Sequence, residues 1–413
     1  MSQEQQQIFP YLQRLLNGAP VEWKPLGEVV KVIRGKSLKK SDVGLGDTPI
    51  ILYGELYTTY GDYIKSIVSY TSFETAKTAS IAHKTDILLP ISSTTKEAQI
   101  GKASVLCVDS DIYVGGDALI LRHSQNAGYL MYLLNCSWFE RLKMRCVKGT
   151  TIMHLSPPQL MKIPIPIPPM EVQERIVEIL DKFTELQAEL QAELALRKKQ
   201  YIYFRDQLLS KDKTERPIRW TPLGKVGSVC MCKRILKNQT SETSGIPFYK
   251  IGTFGGTPNA YISKELFERY KAQYSYPNKG DILLSASGTI GRTVIYDGED
   301  AYFQDSNIVW IDHNEETVLN KYLYYCYQIA DWRVSKGGTI ARLYNKNLLD
   351  TTIPIPFPDD KNRSLEEQER IVGILGRFET MVHSIKEGLP REIELRRKQY
   401  EYFRDQLLTF PKG

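Results

Sequence analysis

A stretch of about forty residues occurs twice in this chain, and both copies read as long helices that the rest of the sequence must serve. The first, Glu171–Leu209, opens Glu171-Val172-Gln173-Glu174-Arg175-Ile176-Val177. The second, Leu365–Leu408, repeats that opening as Glu366-Glu367-Gln368-Glu369-Arg370-Ile371-Val372. Both close on Gln-Tyr-x-Tyr-Phe-Arg-Asp-Gln-Leu-Leu, ending at Leu209 and Leu408. In the first copy Ile176, Leu180, Phe183, Leu190, Leu194, Tyr201, Phe204 and Leu208 advance by threes and fours, with Gln187 and Arg197 filling two steps. That period predicts a coiled-coil seam on a helix of about 39 residues, roughly 58 Å long. Ile371, Leu375, Phe378, Val382, Ile385, Tyr400, Phe403 and Leu407 repeat the seam. Four extra residues around Gly388-Leu389-Pro390 interrupt the second copy, and Pro390 should break or kink it. Ordinary bundle core would explain one such helix; duplication with matched flanks points to a paired spacer.

The flanks repeat as well. Ile-Pro-Ile-Pro precedes each helix, at Ile163–Pro166 and Ile353–Pro356, and alternate prolines predict an extended lead-in outside any central strand. Trp-x-Pro-Leu-Gly opens each intervening region, at Trp23–Gly27 and Trp220–Gly224. Between these markers Asp86-Ile87-Leu88-Leu89 answers Asp281-Ile282-Leu283-Leu284, and Gly101-Lys102 answers Gly291-Arg292. Asp117-Ala118-Leu119-Ile120-Leu121 is matched with Asp305-Ser306-Asn307-Ile308-Val309, Tyr129-Leu130 with Tyr322-Leu323, and Lys148-Gly149 with Lys336-Gly337. Short strands followed by a helix make each region an α/β (mixed α+β) domain. The expected organisation is a terminal segment at 1–20, a first globular region at 21–168 and a central helix at 169–213, then a second region at 214–360 and a closing helix at 361–413.

No apolar run approaches 18 residues and Met1–Gln7 is polar, so neither a membrane span nor a secretory leader is expected. Six cysteines without C-x-x-C pairing or matching histidines fit free thiols in the cytoplasm better than zinc. A net charge of +6 permits nucleic-acid binding without arguing for it. Catalytic patterns fail one by one. Gly35-Lys36-Ser37 lacks the earlier glycine of a phosphate loop, since Val30 stands there, and Ser156-Pro157-Pro158 is not the signature of an amino methyltransferase. The five histidines form no i, i+4 pair. A non-catalytic chain without cofactor or metal is expected.

The loops carry Lys, Arg, hydroxyl and Tyr side chains, which can hold phosphates and reach base edges. The candidate DNA contacts in the first region are Arg34, Lys36, Lys39, Lys40, Tyr57, Thr94, Lys96, Lys148, Thr150 and Thr151. In the second they are Lys233, Arg234, Lys237, Ser287, Thr289, Arg292, Lys336, Gly338, Thr339 and Arg342. A coiled-coil scaffold with two protein- or glycan-binding domains is the alternative of a different class.

From about Ile8 to Leu408 the combined motifs resemble the specificity subunit of type I restriction–modification enzymes. The resemblance implies two target recognition domains, each reading one half of a bipartite asymmetric site on double-stranded DNA. It implies antiparallel helices related by a pseudo-two-fold axis, which set the distance between half-sites and dock two methyltransferase subunits. Those partners would hold S-adenosylmethionine and methylate adenine, with restriction and translocase subunits joining for cleavage. Pro390 departs from two equally continuous helices.

Overall fold

The structure, a computed structural model, describes residues 9–93, 99–149, 152–210, 216–332, 334, 341–384 and 387–411. Six helices organise it: α1 (Pro10–Leu16), α2 (Ala127–Leu134), α3 (Met170–Ser210), α4 (Asn320–Tyr327), α5 (Lys361–His383) and α6 (Leu389–Leu407). The chain forms two compact units. One contains the residues up to Gln191 together with Glu392 onward, and the other contains Ala192–Arg391. Helix α3 therefore begins in the first unit and ends in the second. Helix α5 belongs to the second, whereas α6 starts as the second unit ends and lies almost wholly in the first.

In each unit the opening and closing strands of the globular region pair with each other. Glu22–Pro25 runs antiparallel to Pro164–Ile167, with Trp23 opposite Pro166. Ile218–Pro222 runs antiparallel to Thr352–Pro356, with Trp220 opposite Pro354. Both are isolated two-stranded sheets, the setting in which alternate prolines lacking an N–H are tolerated. Leu26 N–H donates to Ile163 O (2.9 Å), and Leu223 N–H donates to Thr351 O (2.9 Å). A side chain on Gly27 would lie 3.1 Å from Met161 Cβ, which explains the glycine that ends the Trp-x-Pro-Leu-Gly motif. The repeated motifs are thus the two halves of one clasp.

Beyond the clasp, the first unit holds a five-stranded sheet in the order Val30–Arg34, Ala118–His123, Ile87–Pro90, Ser104–Leu106, Tyr63–Ile64. The second holds the shorter order Ser228–Cys230, Ile308–Asp312, Ile282–Ser285, Thr293–Ile295. Ile87, Leu88 and Leu89 are fully buried, as a continuous apolar run on a central strand should be. The aspartates before these strands close the preceding turn: Asp86 accepts from His83 N–H (2.8 Å) and Asp281 from Asn278 N–H (2.7 Å). Gly101 and Gly291 have φ of +72° and +87°, and a Cβ at Gly291 would sit 2.7 Å from Trp332 Nε1.

One correspondence shifts by two residues. Ile91 N–H donates to Asp117 O and Ala286 N–H to Asn307 O, so Asp117 answers Asn307, not Asp305. Leu119 lies opposite Leu89 and Val309 opposite Leu284, which extends the same register along the strand. A two-residue slip keeps every side chain on its own face of the sheet, so the apolar pattern could not expose it.

The helices dock through buried polar anchors that recur in both units. Gln173 accepts from Asn126 N–H at the start of α2 (3.1 Å), and Gln368 accepts from Leu319 N–H at the start of α4 (2.9 Å). Tyr129 and Tyr322 hydroxyls donate to the Pro166 and Pro354 carbonyls, each at 2.9 Å. On α3, Asp181 accepts from Tyr63 and Tyr132; on α5, Glu379 accepts from Tyr324 and Tyr325. Tyr322→Phe leaves the shape but removes one of these buried bonds, at a cost of about 1–2 kcal/mol. The expected fall in the unit's melting temperature is about 2–8 °C, and an unchanged thermal melt would show that the bond contributes nothing.

The helix seam serves two neighbours at once. Ile176, Leu180, Ile371, Leu375, Val382 and Leu407 are buried with α2 or α4 in the domain cores, as well as along the helix pair. In the second unit Phe204 stacks on Phe378 (5.5 Å) and Tyr201 packs on His383 (5.7 Å). The index falls on α3 as it rises on α5, so the helices are antiparallel. In the first unit Phe183 stacks on Phe403 (5.5 Å) beside Tyr400 (6.5 Å), from α6. Leu190, Leu194 and Leu208 are half-buried; Leu209 is fully buried beside Leu208, whereas Leu407 and Leu408 are both buried. Ile385 lies outside the described residues. The break expected from Pro390 separates α5 from α6, with Pro390 at the second helical position, where its missing N–H is not needed.

Candidate nucleic-acid interface

Each globular region folds its variable loops over the same edge. After Val30–Arg34 the chain makes a short turn at Lys40–Asp42, in which Asp42 accepts from Lys39 N–H (2.8 Å). After Ser228–Cys230 the turn is Lys237–Gln239, in which Gln239 accepts from Leu236 N–H (2.8 Å). Parallel pairing then brings a second loop alongside. Thr48–Ile51 pairs with Ile112–Val114, and Ile246–Tyr249 with Tyr302–Phe303. Gly115 N–H reaches Ile51 O (2.9 Å), and Gln304 N–H reaches Tyr249 O (3.0 Å).

These loops enclose one cleft in each unit, in equivalent places but with different linings. The first, of about 1130 Å³, is lined by Lys39, Lys40, Leu52, Tyr53, Tyr57, Glu55 and Asp117 among others. Tyr53 and Tyr57 meet edge to face at 6.3 Å, and burial pushes the Tyr57 hydroxyl above its ordinary range, keeping it a donor. Glu55 is committed inward, accepting from Leu52 N–H (2.9 Å) and the Ser69 hydroxyl. Arg34 is exposed, 3.6 Å from Asp117 at the rim. The second cleft, about 320 Å³, is lined by Arg234, Lys237, Lys250, Gln304, Asp305, Asn307 and Arg342 among others. Arg234 Nε donates to Asp305 (2.9 Å).

Of the residues singled out from sequence, Lys39, Lys40 and Tyr57 converge in the first cleft and Arg234, Lys237 and Arg342 in the second. Others stand apart. Lys36 is exposed outside the cleft lining, Lys148 is exposed on the strand Val147–Lys148, and the Lys233 ammonium lies over the Tyr274 ring at 4.9 Å. Arg292 is tied by its guanidinium to Phe254 O (2.9 Å), and Thr289 accepts from Ser285 through its carbonyl (2.5 Å). Ser287 is buried and donates to Asn307 Oδ1 (2.8 Å), supporting the cleft from beneath. Thr94, Lys96, Thr150, Thr151, Lys336, Gly338 and Thr339 lie outside the described residues. Tyr53, which follows the same basic run in the sequence, joins them in the first cleft, and Asp117, Lys250, Gln304 and Asn307 are lining residues beyond the expected contacts. Lys250 and Gln304 fall outside the repeated motifs, while Asp117 and Asn307 fall inside a matched segment that reads as scaffold.

Among the described residues no helix is long and apolar enough to cross a membrane, and no group of three or more His, Cys, Asp or Glu could hold a metal. The pattern of the type I restriction modification DNA specificity domain matches twice, over residues 20–196 and 217–395. The chain belongs to this family. Each matched copy joins a globular region to the front of the long helix that follows, the pairing that the buried Gln173 and Gln368 anchors secure. A putative type I restriction enzyme specificity subunit of Haemophilus influenzae is 46% identical, over 97% of this chain and 98% of its own. The EcoR124I/EcoR124II specificity subunit of Escherichia coli is 33% identical over 97% of each. Among solved structures, a chain from a type I R-M system described for complex assembly and conformational transition shares the fold, with a TM-score of 0.60. It is 18% identical and covers 94% of this chain and 98% of its own. As a family member, the chain carries two target recognition domains of common scaffold and different clefts.

Proposed function

We propose that this specificity subunit reads double-stranded DNA at two half-sites of different sequence, one in each cleft. The observation that carries the reading is the pair of equivalent clefts on a shared scaffold, each bearing its own set of donors and acceptors. Exposed Lys and Arg around each cleft suit phosphates and fix register, while side chains inside the cleft suit base edges. The long helices hold the two readers at a fixed separation and offer repeated surfaces to two copies of one methyltransferase subunit. S-adenosylmethionine belongs on those partners, and restriction subunits complete the assembly for cleavage. The chain itself positions DNA and performs no chemistry.

The test compares the full chain alone with the chain plus its methyltransferase partner. Alone, it should bind duplex DNA with a steep salt dependence, set by the phosphates contacted, and should not turn over S-adenosylmethionine. With the partner, adenine methylation should appear at one bipartite sequence. Turnover by the isolated chain would overturn the division of labour. Duplex binding indifferent to salt would favour a protein- or glycan-binding scaffold.

A further inference from the structure

The second cleft differs from the first in the kind of hydrogen-bonding group it offers. Gln304 Oε1 accepts from Ile251 N–H at 2.9 Å, and because a backbone N–H can only donate, the orientation of that amide is fixed. Asn307 Oδ1 accepts from the buried Ser287 hydroxyl at 2.8 Å. Both carbonyl ends are therefore turned to the protein. Neither –NH2 end is buried or bonded to a partner among the described residues, and both residues line the cleft. Arg234, Lys237, Lys250 and Arg342, which can only donate, share the lining with the hydroxyls of Thr240 and Ser306, each of which donates its own proton to the protein at Lys237 O and Asp305. The one carboxylate there, Asp305, accepts from Arg234 through Oδ2 at 2.9 Å.

The first cleft contrasts position by position. Where the second has Asn307 the first has Asp117, a carboxylate without the amide's donor end, and Gly115 occupies the position of Gln304. Leu52 follows Ile51 where Lys250 follows Tyr249, in strands that pair alike.

A lining of donors selects acceptors. On the major-groove edge guanine presents two acceptors, N7 and O6, and no donor, thymine presents one acceptor beside an apolar methyl, adenine mixes one of each and cytosine presents a donor, so several converging donors suit guanine best. We propose that the second recognition domain reads a guanine through this donor-rich cleft, with Gln304 and Asn307 as specificity-determining residues. The inference rests on the DNA-reading function proposed above. Phosphate oxygens are also acceptors, so the test must separate a base edge from the backbone.

Gln304→Glu keeps the oxygen that receives Ile251 N–H and replaces the free donor with an acceptor. Selection of bound duplexes from a randomised library, by the full chain assembled with its methyltransferase partner, should give a guanine in one half-site for the unaltered chain. The variant should lose about ten- to a hundredfold in affinity for that guanine and move its preference towards cytosine, whose N4 donates. The other half-site and the salt slope should be unchanged. Asn307→Asp provides a second variant, because the Ser287 hydroxyl can still donate to it. A uniform loss across sequences, with the salt slope reduced by about one, would place a phosphate in the cleft and overturn the assignment. A variant-sensitive half-site without guanine would overturn it equally. Failure of the unaltered assembly to select any sequence would instead sink the DNA-reading function itself.

Discussion

Exchanging residues 26–162 for the matching segment of another family member should replace one half of the recognised sequence and leave the other half untouched. Both junctions fall at the clasp, between Glu22–Pro25 and Pro164–Ile167, so its backbone ladder is retained. The incoming segment must supply few fixed contacts. It needs a tyrosine whose hydroxyl reaches Pro166 O, a backbone N–H for Gln173, and a tyrosine able to donate to Asp181. Those belong to the repeated scaffold, whereas the cleft residues do not. All of the specificity in one half therefore travels with the exchanged segment, and a mismatch costs about 1–3 kcal/mol at each base pair. Mapping methylated adenines for the hybrid assembly reads the outcome directly. Change in both halves, or in neither, would show that the two domains do not read independently.

The second large effect is expected from the middle of α3. Gln187-Ala188-Glu189-Leu190 is followed at once by Gln191-Ala192-Glu193-Leu194, and the compact units divide after Gln191. One more such tetrapeptide after Leu194 lengthens the helix by about 6 Å and turns its end by roughly 40° beyond a full turn. One base pair adds about 3.4 Å and roughly 35° to B-form DNA. The rotations agree closely and the lengths differ by about 2–3 Å, which bending of helix or duplex can absorb. The insertion should therefore preserve both half-site sequences and widen the unspecified spacer by one base pair. At the original spacing, binding should fall towards the non-specific level, a margin of about a thousandfold or more. Methylation mapped at the old spacing would mean that this helix does not measure the DNA.

The helices and the break before Pro390 were legible in the sequence because apolar period and proline chemistry act locally. The reason for the repeated flanks was not. Trp23 and Pro166 are far apart in the chain, and only the folded ladder shows that each motif is the other's partner. The match of Ala118–His123 to its counterpart Ile308–Asp312 differs from the sequence alignment by two residues, a slip that an inside–outside pattern cannot detect. In the clefts, charge singled out Lys39, Lys40, Arg234, Lys237 and Arg342, which do line them. Gln304 and Asn307 escaped because a neutral amide in a loop looks like solvated surface until its oxygen is seen bonded inward. Ser287 was chosen for its hydroxyl, and that hydroxyl is spent on Asn307.

The first unit is closed by residues 392–411, far along the chain from the rest of it. Phe403 stacks on Phe183, Trp138 Nε1 donates to Leu408 O (3.1 Å), and Trp23 Nε1 donates to Pro411 O (2.9 Å). On the ribosome, the first recognition domain emerges well before the segment that completes its core. About 220 residues separate Gln191 from Pro411, which at bacterial rates of synthesis is roughly 10–45 s. During that interval the faces of Phe183 and Trp138 that this segment will meet stay open, while the helices of the second unit are all made before Glu392. The half of the protein that is made first is therefore the half that finishes folding last.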